Sequence, residues 1–275
     1  MADAKRTPEH GPFRAEQLRE GDRYELSKGH AIYCAPSGGR HGGANAIGAL
    51  VLGSDPKVTE VGIDVGYSPA SDELRSPDVS VGNVPNAPGW VAGAPALALE
   101  YADRGTDEGE LQEKIASLLT AGTRWVWVVR LVGVRRVEVY EQGQPPRVRA
   151  DGEQLEAPDV LANPVPVAAL FDRDAALDAS LRNMVQRQGF ASLPDALARS
   201  REQGVEEGIE KGIEKGIEKG IETGEALAMR RSIETLCATF EIDVDDARRA
   251  ALRDASVVEL RALFDAILRD RAWPR

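Results

Sequence analysis

The chain has 275 residues, a net charge of −11 and two cysteines. No apolar run approaches the ~20 residues needed to cross a bilayer. The acidic balance, shared by residues 1–190 with 20 Lys+Arg against 27 Asp+Glu, argues against tight, non-specific binding to nucleic acid through charge alone.

The length suits one sizeable domain with an appendage, or two small domains. Met1 to Pro8 carries no apolar stretch and is read as lacking a signal peptide. Cys34 and Cys237 lie far apart and show no metal-type spacing, which reads as free thiols in a reducing cytoplasm.

In chain order, a short helical turn is expected around Ala15–Arg19. Arg23–Ser27 and His30–Ala35 alternate as strands, with Lys28-Gly29 as the hairpin turn between them. His41–Leu52 reads as a short helix weakened by Gly42, Gly43 and Gly48. Val58–Tyr67 has β-type residues at alternate positions, Val79–Val81 is a short strand behind Pro77, and Ala96–Tyr101 is an apolar strand. Thr106 is placed to cap a helix over Asp107–Thr120, with acids in its first turn and Gly122 beyond its end. Arg124–Val132, almost wholly apolar, reads as a buried central strand. Trp125 and Trp127 share one of its faces, as core residues do. Val134–Tyr140 and Arg147–Ala150 follow as antiparallel strands. This order predicts an α/β or α+β core with one sheet face covered by the helix.

From Asp174 the pattern turns helical. Between Gly204 and Gly224 the unit Gly-Ile-Glu-Lys recurs every four residues, setting Val205, Ile209, Ile213, Ile217 and Ile221 in one row beside a row of glycines. A four-residue period overshoots the helical turn by about 40° per repeat, so the apolar row would wrap right-handed around a partner. Each glycine costs about 1 kcal/mol of helix propensity relative to alanine, so packing or self-association has to compensate. The alternatives are a low-complexity spacer and a self-association stalk. A membrane helix is excluded by Glu and Lys in every turn. Beyond it, Ile233, Leu236, Phe240, Leu252, Leu260, Leu263, Phe264 and Ile267 predict a small helical module, with Ser256 and Glu259 as a capping box.

The chemistry-bearing residues sit on the strand-like runs. Asp78 and Glu100 each stand against a short strand, and two carboxylates on neighbouring strands can hold a hard cation such as Mg²⁺. A carboxylate ending Ala-Leu-Ala-Leu would be costly if buried without a cation or donor. A nearby lysine, Lys114, can orient or help deprotonate a metal-bound water, which gives the parts of a phosphodiester hydrolase. Plainer readings stand beside these. Asp78 could cap a turn, Glu25 fits any exposed hairpin, Lys114 could pair with Glu110 on a helix surface, and His41 in its Gly-rich turn reads as solvated. Arg130, Arg135, Arg136, Arg147 and Arg149 form the densest basic stretch, either a phosphate-facing patch or arginines on solvated strand faces.

Tyr24-Glu25-Leu26, Gly29, His41, Leu74-Arg75-Ser76-Pro77-Asp78-Val79-Ser80-Val81, Leu99-Glu100, Lys114, Gly122 and Trp127-Val128-Val129 together resemble the Uma-two family of restriction endonucleases, within the PD-(D/E)XK nuclease superfamily. The resemblance covers roughly residues 12–172. It implies a mixed central sheet flanked by helices and Mg²⁺-dependent DNA cleavage, with Mn²⁺ as a substitute. Asp78 and Glu100 would be metal ligands, with the Tyr101 carbonyl as a third oxygen, Glu25 the acid at the edge of the site, and Lys114 the catalytic lysine. The superfamily norm would place that lysine at position 102, where this chain has Ala102. The chain also departs from family habit at Tyr101-Ala102-Asp103 and at Arg130-Leu131. The tail resembles the C-termini of transposase-like, recombination-promoting nucleases.

The expected organisation is therefore a nuclease-like domain over 12–172, a helical repeat stalk over 173–228 and a small helical module over 229–275. The expected protein is a cytoplasmic, metal-dependent DNA endonuclease, oligomeric through its repeat. The alternative is an inactive nuclease-like adaptor that assembles through the same repeat.

Overall fold

The computed structural model describes residues 11–274. Residues 1–10, where the absence of a signal peptide is expected, and Arg275 of the expected terminal module lie outside the described residues. The chain divides into two compact units, one ending at residue 196 and the other beginning at 197.

The first unit opens with a 3₁₀ turn, Ala15–Gln17, and a hairpin of β1 (Tyr24–Ser27) and β2 (His30–Tyr33). Lys28 and Gly29 both take positive φ, 49° and 76°, as a tight two-residue hairpin turn requires. Then come α1 (Gly39–Ser54), β3 (Val61–Ile63), β4 (Tyr67–Ser68), β5 (Val79–Val81), β6 (Val91–Ala92), β7 (Leu97–Ala102), α2 (Glu108–Thr120), β8 (Trp125–Arg130), β9 (Arg136–Glu141), β10 (Arg147–Ala150), β11 (Gln154–Leu155), β12 (Val165–Pro166) and α3 (Arg173–Arg187). The central sheet runs β10-β9-β8-β7-β5-β3. It is mixed: β7 and β8 are parallel, joined through α2, and every other neighbouring pair is antiparallel.

Helices cover both faces of this sheet, not one. The reason lies in the alternation along β7 and β8. Leu97, Leu99, Tyr101, Trp125, Trp127 and Val129 face the side that buries α1 and α3, with the two tryptophans in the core as expected. Ala98, Ala102, Val126 and Val128 face the other side, against Leu111, Ile115 and Leu118 of α2. Both strands are apolar on both faces, and each face needs a cover. Val58–Tyr67 forms two short strands instead of one, because Asp64 between them turns into the left-handed region at φ 53°.

Helix α1 is longer than expected and buries Ala44, Asn45, Gly48, Val51 and Leu52. At Gly48 an added Cβ would stand 2.6 Å from Leu99 Cδ2 and 2.6 Å from the Tyr101 hydroxyl. A glycine here costs helix propensity but lets α1 lie directly on β7. The C-terminus of α1 is closed from outside. The Arg187 guanidinium of α3 donates to the carbonyls of Gly53 and Ser54 at 2.9 Å and of Asp55 at 2.7 Å, satisfying carbonyls that a helix end leaves open. Ala176 and Ala179 of α3 share the core with α1, so the boundary expected at 172 falls inside the first unit, which runs on to residue 196.

On α2 the cap is Asp107, which accepts from the Glu110 N–H. Thr106 instead accepts from the Asp103 N–H at 3.0 Å. The arginines of the basic stretch are engaged. Arg130 pairs with Glu108 and Glu138 at 2.8 and 2.7 Å, Arg136 with Glu138 at 3.5 Å, Arg147 with Glu141 at 2.5 Å and Arg149 with Glu153 at 3.2 Å. Arg135 lies over the Phe171 ring.

In the second unit, α4 (Leu193–Thr239, starting just before the boundary), α5 (Asp246–Asp254) and α6 (Val257–Asp270) enclose a core of Ala226, Ile233, Cys237, Leu252, Leu260 and Ile267, with Leu236, Phe240, Leu263 and Phe264 packed against it. Ser256 and Glu259 form the expected capping box. The repeat lies within α4, and no helix among the described residues is long and apolar enough to cross a membrane.

Two stability predictions follow from these contacts. Gly48→Ala lowers unfolding stability by about 1–3 kcal/mol, the range for overpacking. Gly43→Ala, with nothing within 4 Å of the new Cβ, raises it by up to ~1 kcal/mol through helix propensity; urea unfolding of both variants checks the contrast. Hydrogen bonds from Arg130 hold the Glu108 carboxyl down at about 2. A depressed carboxyl contributes stability above its unfolded value of ~4.3, lost as pH falls through the folded value. Arg130→Met therefore lowers Tm by roughly 2–4 °C at pH 7, and calorimetry finds the gap narrowing as pH is lowered from about 5 toward 2.

Candidate active site

A cleft of about 690 Å³ opens between the β1–β2 hairpin, the start of α1, the carboxyl end of β7, the amino-terminal half of α2, and the Leu74–Asp78 stretch. Glu25, His41, Asp64, Arg75, Asp78, Glu100, Tyr101 and Lys114 all line it. Their placement follows from strand period and helix face. In β7 the even positions face α2, so Glu100 falls between Ala98 and Ala102 on the side where Lys114 stands, one turn from Leu111 and next to Ile115. Asp78 immediately precedes β5, the strand beside β7.

Lys114 is the hub. Its ammonium donates to the Ser76 carbonyl at 2.7 Å and to Glu100 Oε2 at 3.1 Å, lies 2.9 Å from Glu100 Oε1, and reaches Glu25 Oε1 at 3.1 Å. The Glu110 alternative is not realised. Glu25, on β1, is buried, not on an exposed hairpin edge. Its other oxygen faces Arg75 Nη1 at 3.6 Å, and Arg75, itself 2 % exposed, has Glu73 3.5 Å from Nε. Burial works to lower the Lys114 pKa, yet the charges of Glu100, Glu25 and Asp78 outweigh it and hold the amine protonated well above its ordinary range. Burial pushes the Glu100 carboxyl up to about 8, although Lys114 opposes that rise. Taken together, Glu25, Asp64, Asp78 and Glu100 bring four carboxyl groups to the cleft, beside the Lys114 ammonium and the Arg75 guanidinium.

Asp78 is gripped from three sides. Oδ2 accepts the Tyr101 backbone N–H at 2.6 Å, and Oδ1 accepts from Asn45 Nδ2 at 3.2 Å and pairs with His41 Nε2 at 2.8 Å. Burial opposes ionisation of Asp78, but the His41 hydrogen bond and the Lys114 charge hold its pKa below the ordinary value. The same hydrogen bond raises that of His41. His41 is thus engaged, not merely solvated. His41, Asn45 and Gly48 lie on one stripe of α1, at the i, i+4, i+7 spacing of a single helix face; seating Gly48 on β7 brings the other two to Asp78.

Four residues in or beside the cleft had no role in the sequence reading of the site. Asn45 and Arg75 carry no spacing signal, since each acts through a contact distant in sequence. Asp64 lines the cleft at positive φ, and partial burial with the Asp78 charge raises its pKa. Arg40, beside His41, forms a forked pair with Asp103, just past β7.

The donor set suits a hard cation. Asp78 and Glu100 bring oxygens from adjacent strands, and Glu100 Oε1 is buried with no well-aligned hydrogen-bond donor. Among the described residues no cluster of three or more His, Cys, Asp or Glu has metal-holding geometry. Mg²⁺ does not require one, since it is commonly bound through one or two carboxylates plus waters.

A mixed sheet flanked by helices, with two carboxylates and a lysine gathered in one cleft, defines a nuclease-like α/β protein. Residues 13–168 match the Uma2 family, described as "Putative restriction endonuclease", and the chain belongs to that family. It is also similar to a solved structure from Anabaena variabilis described as a "putative nuclease belonging to DUF820". That likeness has 18% identity and a TM-score of 0.49, covering 58% of this chain and 94% of the other. No curated protein matches the chain.

Because Glu25 and Glu100 share one ammonium, their contributions are coupled. In metal-free buffer, a double-mutant cycle of Glu25→Gln and Lys114→Met gives an interaction energy of about 1–3 kcal/mol by urea unfolding; additivity within ~0.5 kcal/mol would show that the two do not interact.

Proposed function

We propose that this cleft is the active site of a metal-dependent endonuclease that hydrolyses DNA phosphodiesters in a reducing cytoplasm, with the helical tail joining copies of the chain. The observation that carries the reading is the cluster of buried carboxyl groups around one protonated lysine, with Asp78 just before β5 and Glu100 on the neighbouring β7. Family membership supports the nuclease class, and both cysteines are free.

Asp78, Glu100 and the Tyr101 carbonyl would hold Mg²⁺, with Mn²⁺ able to replace it. When bound, the ion supplies Lewis-acid stabilisation of the phosphate charge and lowers the pKa of bound water. The chain's own residues do the rest. His41, Asn45 and the Tyr101 N–H fix the Asp78 carboxylate, so its oxygens need no reorganisation. Lys114 is held protonated, which makes it a hydrogen-bond donor and not the base. It positions the attacking water and offsets negative charge as the phosphorus centre becomes crowded. Glu25 keeps the ammonium in place, and Arg75 in turn braces Glu25.

A second reading, an inactive adaptor of nuclease fold, is favoured by one observation: Arg130, Arg136, Arg147 and Arg149 are paired to carboxylates, which leaves that patch poorly suited to phosphates.

Cleavage of supercoiled plasmid and of single-stranded DNA separates the two. The nuclease reading predicts nicking with Mg²⁺ or Mn²⁺, none with EDTA, and a loss of at least ~100-fold in Asp78→Ala and Lys114→Met, in line with removal of an electrostatic catalytic group. No cleavage with any metal by the folded protein would favour the adaptor; full activity in Asp78→Ala would overturn the mechanism.

A further inference from the structure

The repeat segment of α4 is one continuous helix whose apolar row is left exposed among the described residues. Val205, Ile209, Ile213, Ile217 and Ile221 are 55 to 59 % exposed, and a Cβ built on any glycine from Gly204 to Gly224 meets nothing within 4 Å. Because the repeat is four residues long, its positions form four rows about a quarter-turn apart. The isoleucine row is a ridge and the glycine row beside it is a groove. The glutamate row (Glu206 to Glu222) borders the ridge on its far side. The lysine row (Lys211 to Lys219) borders the groove on its far side.

We propose that the occupant of this face is the same segment of a second copy of the chain, and that the two helices run parallel. The inference deepens the self-association reading above. It rests on two independent complementarities. A two-fold axis along a parallel pair sets each isoleucine ridge opposite the partner's glycine groove, so rows of i±4 spacing interdigitate. It also sets the lysine flank of each helix beside the glutamate flank of the other. An antiparallel pair reverses both outcomes: ridge meets ridge, groove meets groove, and like charges face each other along both flanks. Ridges and grooves of i±4 spacing favour crossing angles near about −50°, the right-handed sense in which the row itself drifts. Parallel pairing attaches both amino-terminal units at the same end of the stalk.

The test uses the full-length chain carrying Cys34→Ser, labelled with spin probes at an introduced Gln203→Cys or, separately, Glu225→Cys. Light scattering first gives the oligomeric state. A parallel pair predicts a dimer in which same-site labels at either end lie closer than about 25 Å, while mixed 203- and 225-labelled chains read roughly 33 Å, the rise over 22 residues. An antiparallel dimer inverts the two readings and overturns the orientation alone. A monomer at tens of micromolar overturns self-association as well. Gly212→Leu with Gly216→Leu fills the groove and is predicted to weaken dimerisation at least tenfold without loss of helix content. Dimerisation unchanged by that pair would overturn the ridge-in-groove contact.

Discussion

The structure depends on one ammonium group. Lys114 stands on α2 and reaches the backbone before β5, the side chain of β7 and the side chain of β1. Three segments far apart in sequence are thereby held to one point beside the sheet. Isolated ion pairs in such surroundings stabilise little, because desolvation offsets attraction. The arrangement makes better sense as a site than as a brace. A lysine surrounded by Glu25, Glu100 and, more distantly, Asp78 is fixed in its protonated form, and the carboxylates it leaves under-compensated are the ones that a cation would complete.

The sheet and α1 supply the other half of the geometry. Apolar residues on both faces of β7 and β8 force helices onto both sides. Glu100 can then be buried facing α2, while Tyr101 supports α1 on the opposite face. Gly48 allows α1 to approach β7 closely enough for His41 and Asn45 to reach Asp78, and Arg187 of α3 closes the other end of that helix. Glu100, Lys114, His41 and Asn45 therefore come from the sheet and its helices, while Glu25 comes from the small hairpin and Asp78 from the bend just before β5.

Much of this could be read in the sequence. Alternation of apolar residues located the strands, and the carboxylates interrupting them, Asp78 and Glu100, marked the cleft along with Lys114. The tail core and its capping box followed from helical spacing. What the sequence hid were contacts with no local signature. Arg75 has no spacing that marks it, yet it is buried against Glu25. His41 looked solvated because its partner lies 37 positions away. The arginines after β8 read as a possible phosphate surface because pairing with Glu108, Glu138, Glu141 and Glu153 arises from strand register and helix placement, not from spacing. Thr106 and Asp107 compete for one cap, and only backbone geometry decides between them. Arg124–Val132 read as a buried strand, but α1, which covers its second face, read as a short helix weakened by glycines, and the value of Gly48 shows only in its contact with Leu99 and Tyr101.

The central claim is that the Asp78–Glu100 pair, held beside Lys114, is built to bind a divalent cation. The most direct measurement is titration of the full-length protein with Mn²⁺, followed by electron paramagnetic resonance of the free ion and by calorimetry, alongside Asp78→Asn and Glu100→Gln proteins. The account predicts one ion bound per chain in the wild type and loss of at least ~10-fold in affinity in each variant, the scale on which metal-site substitutions act. A folded wild-type protein that binds no Mn²⁺, or binds it equally well after both substitutions, would contradict it.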